Sequence, residues 1–169
     1  MKKTILTVAF LATALFSSAQ DSKIKAGLNL GLPMGDIKDD YSFNVGINGS
    51  YLFPISDKFY VGGTVGYEHY NGKTIETNIF GVPVKTEIKS AGFIPVAASA
   101  EYMFNDKFFG ALDLGYAIGI APSGIDSGFL YQPKIGYAIE KFDFLLGYKA
   151  IAVSGGAYSS INLGVAYKL

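Results

Sequence analysis

Large apolar residues occupy every second position through eight segments of this chain: 24–34, 41–53, 59–70, 91–104, 108–120, 129–139, 142–153 and 158–169. Period two is the side-chain period of a strand. Each segment is about as long as the 9–11 residues that a tilted membrane strand needs, or slightly longer. The connections alternate in character. Those at 54–58, 105–107 and 140–141 are short, while 35–40, 71–90, 121–128 and 154–157 are mostly longer and richer in Gly, Asp and Ser. The short ones carry a recurring string: Asp57-Lys58-Phe59, Asp106-Lys107-Phe108 and Glu140-Lys141-Phe142. Charged tight turns at one end and longer loops at the other predict an all-β, eight-stranded antiparallel up-and-down transmembrane β-barrel, with both termini on the short-turn, periplasmic side.

Side-chain size separates the two faces. One parity carries Leu28, Leu30, Val45, Ile47, Val65, Val96, Leu112, Leu114, Ile135, Leu146, Leu163 and many Tyr and Phe, without a single charge. The other carries Gly27, Asn29, Asn44, Gly46, Thr64, Ser99, Gly115, Gly136 and Asn162, together with charges. An eight-stranded barrel has an interior only just wide enough for side chains. The small polar set therefore belongs inside and the bulky set outside, in lipid. A soluble lipocalin-like carrier is the opposite assignment, with an apolar lumen. Phe53, Phe59, Tyr102, Phe104, Phe108 and Phe142 fall at the lower strand ends, and Tyr41, Tyr67, Tyr116 and Tyr158 nearer the top. Both sets are placed in aromatic girdles at the membrane interfaces. Pro95 and Pro133 lie inside strands and predict a bulge or a lost ladder bond.

The longest loop can be given a register. With Phe80-Gly81 as a two-residue turn, Ile79 faces Val82 and Glu76 faces Lys85, an opposite-charge cross-strand pair. The same register carries down to Val65 opposite Val96 and Phe59 opposite Tyr102. Residues 58–103 thus predict one long hairpin whose tip, 71–90, stands beyond the membrane.

The N-terminus adds an address. Lys2 and Lys3 precede an apolar run from Ile5 to Phe16, and Ser17-Ser18-Ala19 offers small residues before a cleavage point after Ala19. The run is shorter than the roughly 20 residues of a spanning helix. Residues 1–19 are expected to be a signal peptide and 20–169 the barrel domain. There is no cysteine, which removes disulfides and a lipid-modified N-terminus. Net charge is zero without long like-charge runs, so nothing points to nucleic acid.

Several segments carry a resemblance. The last strand, Ser159 to Leu169, has alternate apolar positions and Tyr167 two before the end. It resembles the C-terminal signal read by the outer-membrane insertion machinery of Gram-negative bacteria. Phe93-Ile94-Pro95-Val96 leading to Glu101-Tyr102-Met103-Phe104, and Ala19-Gln20 at the cleavage point, are similar to small porin-family barrels of Bacteroidota. Those in turn resemble OmpX- and OmpA-type barrels. The resemblance implies an eight-stranded outer-membrane barrel held by outer-membrane lipid, and it implies no particular activity.

Candidate chemistry is sparse. The inward parity holds Lys25, Glu68, Glu101, Asp113, Lys134, Lys149 and Lys168, both signs in near balance. Charges in a narrow lumen must be paired to be tolerated. They are expected to form a salt-bridged plug, with Asp113 and Lys134 as the first direct pair; a narrow path for ions or very small solutes is the alternative. His69 is the only histidine, at the outer end of its strand, with no serine close by to make a lipid-hydrolysing site. A lone His without Cys or an acidic cluster predicts no metal, and no cofactor or enzymatic activity is expected. Glu76, Ile79, Phe80, Gly81, Val82 and Lys85 in the projecting loop are the candidate contact for an extracellular protein or other surface ligand, because an exposed two-stranded ribbon offers unpaired edges.

Overall fold

The computed structural model describes residues 22–79 and 82–169, of which 77–79, 82 and 84 are described by their backbone. The proposed signal peptide and the Phe80-Gly81 turn lie outside the described residues. Eight strands close into an antiparallel barrel: β1 (Lys23–Met34), β2 (Tyr41–Ser56), β3 (Phe59–Gly72), β6 (Ala91–Met103), β7 (Phe108–Ala121), β8 (Gly128–Ile139), β9 (Phe142–Val153) and β10 (Gly156–Lys168). Sequence neighbours pair, β3 joins β6, and β1 closes on β10. Strands β4 (Thr74–Ile79) and β5 (Val82–Glu87) form a separate two-stranded ribbon between β3 and β6.

The repeated charged turns share a structural job. The carbonyls of Lys58, Lys107 and Lys141 accept the backbone N–H of Met103, Ala138 and Lys168 at 2.8, 2.7 and 2.8 Å. Each extends the ladder between its own hairpin and the next by one bond. Asn105 shapes the middle turn, its side-chain oxygen accepting from the N–H of Lys107 and Phe108 at 2.9 and 2.8 Å. The last bond of closure runs from Leu169 N–H to the Ile24 carbonyl at 2.9 Å.

The hairpin register is the one the sequence predicts. Phe59 faces Tyr102, Val65 faces Val96, Glu76 faces Lys85 and Ile79 faces Val82. The hairpin is divided at Gly72-Lys73 into a barrel part and the ribbon. Pro95 and Pro133 each cost ladder on one side only. The β3–β6 pairing stops at Val65/Val96 and resumes at Glu68/Phe93, while Pro95 still sits opposite Ala117 on β7. The β8–β9 pairing stops at Tyr131/Ala150 and resumes at Lys134/Gly147, while Pro133 keeps its place opposite Leu112. A proline has no N–H to give, so the ladder opens there without a bulge.

The faces divide by size as expected along most of the wall. Leu28, Leu30, Ile47, Val65, Ile135 and Leu163 are exposed on the outside, and no exposed residue of the eight barrel strands is charged. The buried charges Lys25, Glu68, Glu101, Asp113 and Lys149 stand inside, which overturns the lipocalin-like assignment of a wholly apolar lumen. At the lower rim, rings pair around the wall: Tyr102 with Phe104, Phe108 with Tyr137 and Phe142 with Tyr167, at centroid separations of 5.8, 4.8 and 5.3 Å.

Two girdle assignments are corrected. Tyr41 is buried in the interior because one extra residue, marked by a register shift between Tyr41 and Phe43, reverses the facing at the top of β2. Tyr158 turns inward on the same parity as Ser160 and Asn162 and packs against Tyr41, Tyr70 and Phe93. The interior also accepts bulk where glycine or alanine yields room. Phe109 is buried over Gly136, where any Cβ would fall within its ring. Tyr70 and Phe93 fit beside Ala91, Ala97 and Ala117.

Candidate functional site: a filled lumen and a projecting ribbon

The lumen is filled in three tiers. The lowest stands at the turn end. Glu101 accepts Lys23 at 2.7 Å and Lys25 at 2.6 Å, and Lys25 also reaches Asp143 at 2.7 Å. Lys168 meets the other Asp143 oxygen at 3.2 Å. Aromatic faces support the cations: Lys23 lies 3.5 Å from the Tyr60 ring centre and Lys25 lies 4.9 Å from that of Phe109. Three lysines thus hold two carboxylates.

The middle tier holds two ion pairs. Lys134 donates to Asp113 at 2.5 Å across the β7–β8 boundary. Lys149 donates to Glu68, both completely enclosed. Glu68 is further held by amides, from Asn29 at 2.9 Å and Asn44 at 3.3 Å. The amide chain continues upward, Asn44 donating to Asn162 at 2.8 Å and Asn162 to Ser160 at 2.9 Å. Buried charges survive here because each is paired and most are also hydrogen-bonded, the condition for offsetting their desolvation.

The upper tier is apolar. Tyr41, Tyr70, Phe93 and Tyr158 pack edge to face, with centroid separations from 4.8 to 6.1 Å. Ile37, Leu130 and Ile151 close around them. Tyr70 hands its hydroxyl down to Ser160 at 3.4 Å, joining the cap to the polar tier.

The structure therefore places Lys25, Glu68, Glu101, Asp113, Lys134 and Lys149 in one interior, in three pairings rather than one cluster. Two partners escaped the sequence reading. Asp143 is 1 % exposed and anchors the lowest tier, although it has the same parity as Lys149 and immediately follows Phe142 at the start of β9. Lys23 begins β1, one step before the predicted segment 24–34. The parity of both residues was available as a signal.

His69 faces outward near the top of β3. Its Nδ1 lies 3.3 Å from the Tyr67 hydroxyl on the same strand, and the ring carries no contact to a serine or a carboxylate among the described residues. At the ribbon, Lys85 and Glu76 pair at 2.6 Å with 68 % and 59 % of their side chains exposed, so this bond is solvated. Residues 79 and 82 are placed by backbone pairing alone, and 80 and 81 lie outside the described residues.

No family model matches the chain, and no curated protein matches it. Solved structures do. The outer-membrane protein Ail, the attachment invasion locus protein of Yersinia pestis, is 14 % identical with a TM-score of 0.55, over 88 % of this chain and 97 % of that one. Ail in complex with the heparin analogue sucrose octasulfate is 16 % identical with a TM-score of 0.53, over 88 % and 97 %. A de novo designed transmembrane β-barrel is 13 % identical with a TM-score of 0.54, over 87 % and 95 %. At these identities the likeness is one of fold: this chain has the closed eight-stranded architecture of transmembrane β-barrels.

Proposed function

We propose that this protein is an outer-membrane barrel with a structural or surface-interaction role, a lumen closed by its own side chains, and no catalytic activity. In this reading residues 1–19 are a cleaved signal peptide, and the strand ending at Leu169 is read by the insertion machinery. The chain sits with the small porin-family barrels of Bacteroidota and their OmpX- and OmpA-like relatives. The observation that carries the proposal is a contrast between the two ends of the fold. Among the described residues every buried charge in the lumen is engaged, whereas the β4–β5 ribbon forms a separate sheet with no further strand on either edge.

The two ribbon edges are unequal. Ile88 N–H donates to the Lys73 carbonyl at 2.9 Å, which sets the alternation of bonded pairs. Residues 74, 76 and 78 of β4, and 83, 85 and 87 of β5, then turn their backbone groups away from the partner strand. Pro83 removes a donor from the β5 edge. The β4 edge, with Thr74, Glu76 and Asn78, keeps all of its donors. An extended segment of a surface protein added along β4 is the contact we assign to this loop. Ail has been solved with a heparin analogue. In this chain, residues 73–89 carry Lys73, Lys85 and Lys89 against Glu76 and Glu87, nearly in balance. That favours backbone pairing over capture of a polyanion.

Glu76→Pro tests the reading. It removes one outward N–H and no backbone bond within the ribbon, and with it only the solvated Glu76–Lys85 pair, for which Glu76→Ala is the control. Adhesion and capture of surface proteins should fall as far as in a deletion of 73–88, with the barrel still assembled. Unchanged adhesion in the deletion strain rejects the interaction role. The narrow-channel reading requires steady single-channel conductance from the unaltered protein in planar bilayers.

A further inference from the structure

Three hollows lie in series along the lumen. The first is a vestibule of about 490 Å3 at the turn end, bounded by Lys23, Tyr60, Glu101, Phe109, Asp143 and Lys168. Behind it is a cavity of about 40 Å3 that shares Glu101 and Phe109 with the vestibule. A third, of about 50 Å3, shares Asn48, Thr64, Asp113 and Lys134 with the second and reaches up to Glu68 and Lys149. Beyond it stand the amides of Asn44 and Asn162 and then the aromatic cap, in which Tyr70 and Phe93 are completely buried.

The two inner cavities share Asn48, Thr64, Asp113 and Lys134, beside Leu145, and one of these polar groups carries an unmet need. Asp113 is 3 % exposed, and one of its carboxylate oxygens, Oδ1, has no hydrogen-bond partner among the described residues; the other is taken by Lys134. Asp113 lines both inner cavities. Around the same space stand the Thr64 and Ser99 hydroxyls, 2.7 Å apart, and the Asn48 side chain. A cavity needs about 10–15 Å3 of space open to a water-sized sphere to admit a water molecule, which stays in a protein interior where it finds 2–4 polar partners. Both cavities meet that size and that chemistry, whereas a cavity lined by apolar groups stays dry.

We infer that the lumen of this barrel is a blind, water-holding shaft, open to the vestibule through two internal water sites around Asp113 and Thr64, and sealed on the ribbon side by the Tyr41/Tyr70/Phe93/Tyr158 cap. This goes beyond a closed lumen, because it assigns the closure to one end. The Asp113–Lys134 pair exchanges with the solvent at the turns and not with the solvent at the loops. The barrel is then one aromatic layer short of a continuous polar path.

The absence of cysteine allows a direct test. Thr64→Cys places one thiol between the two inner cavities, and Ser50→Cys, on the wall of the lower one, serves if the first variant folds poorly. Folding is checked separately by the heat-dependent gel shift. Silver ion, no larger than a water molecule once dehydrated and reactive with thiols, is added outside proteoliposomes. Protease then cuts the ribbon wherever it faces outward, so the gel separates the two orientations. Remaining thiols are labelled with a maleimide after denaturation. The expected result is loss of labelling in the uncut band, whose vestibule faced the silver, and full labelling in the cut band. Tyr158→Ala combined with Phe93→Ala should extend the loss to the cut band. Full labelling in both bands with the cap intact overturns the water sites. Equal loss in both bands, or loss in the cut band alone, overturns the one-sided closure.

Discussion

Replacing Asp113 by alanine should destabilise the barrel far more than an exposed substitution would. The Asp113 side chain is 5 % exposed and that of Lys134 is 17 % exposed, with their charged atoms 2.5 Å apart. Removing one member of a buried pair strands the other charge, at a cost of about 3–5 kcal/mol. Asp113→Ala should fall near the lower end, about 3 kcal/mol, because the partly exposed Lys134 ammonium borders the internal cavities and can turn toward them. Lys134→Met should cost at least as much, since it strands a carboxylate that already has one oxygen unpartnered. The double variant Asp113→Leu/Lys134→Met should recover most of the loss, because an apolar replacement of both partners removes the desolvation cost together with the attraction. The assay is urea unfolding of the barrel in lipid vesicles, read by the fraction that keeps the folded gel mobility. A loss below about 0.5 kcal/mol for Asp113→Ala, the range of an ordinary surface change, or losses in the two single variants that simply add, would refute the plug.

Gly136→Val should cost about 1–3 kcal/mol by driving a branched side chain into the Phe109 ring, and Phe109→Ala in the same background should return part of it, both read in the same urea titration. Leu28→Arg, at an exposed site midway along β1, should cost about 2–4 kcal/mol in a bilayer, as charges on the lipid face of a barrel do; no penalty would mean that this face meets water. Tyr158→Ala with Phe93→Ala should produce steady conductance in planar bilayers where the parent barrel gives none, while Lys85→Ala, which breaks only an exposed pair, should leave the parent trace unchanged.

The wall of the barrel was legible because its outer face follows one rule at almost every position. Strict alternation of Leu, Ile, Val, Phe and Tyr gave the strands, and the Asp/Glu-Lys-Phe strings gave the end at which they turn. The hairpin register from Phe59/Tyr102 to Ile79/Val82 followed from cross-strand parity and one opposite-charge pair. The interior was less legible, because there a residue's fate depends on what stands across the lumen. Phe109 lies inside because Gly136 leaves room for it, and Tyr70 and Phe93 lie inside because Ala91, Ala97 and Ala117 do. Tyr41 turns inward because of one extra residue in β2, which alternation alone does not register. Asp143 differs: its parity placed it in the lumen, and its position at a strand start hid it behind the turn that precedes it. The Asp113–Lys134 contact followed from height and neighbouring strands, whereas the Lys25–Asp143 contact, between strands apart in the chain, needed the closed barrel.

Outer-membrane fractionation followed by electrophoresis with and without boiling tests the whole account most directly. A closed membrane barrel with a packed lumen should fractionate with the outer membrane and resist unfolding by detergent at room temperature. Its unboiled band should migrate apart from the boiled one. A protein released with the soluble periplasmic fraction, with one mobility under both conditions, would contradict it.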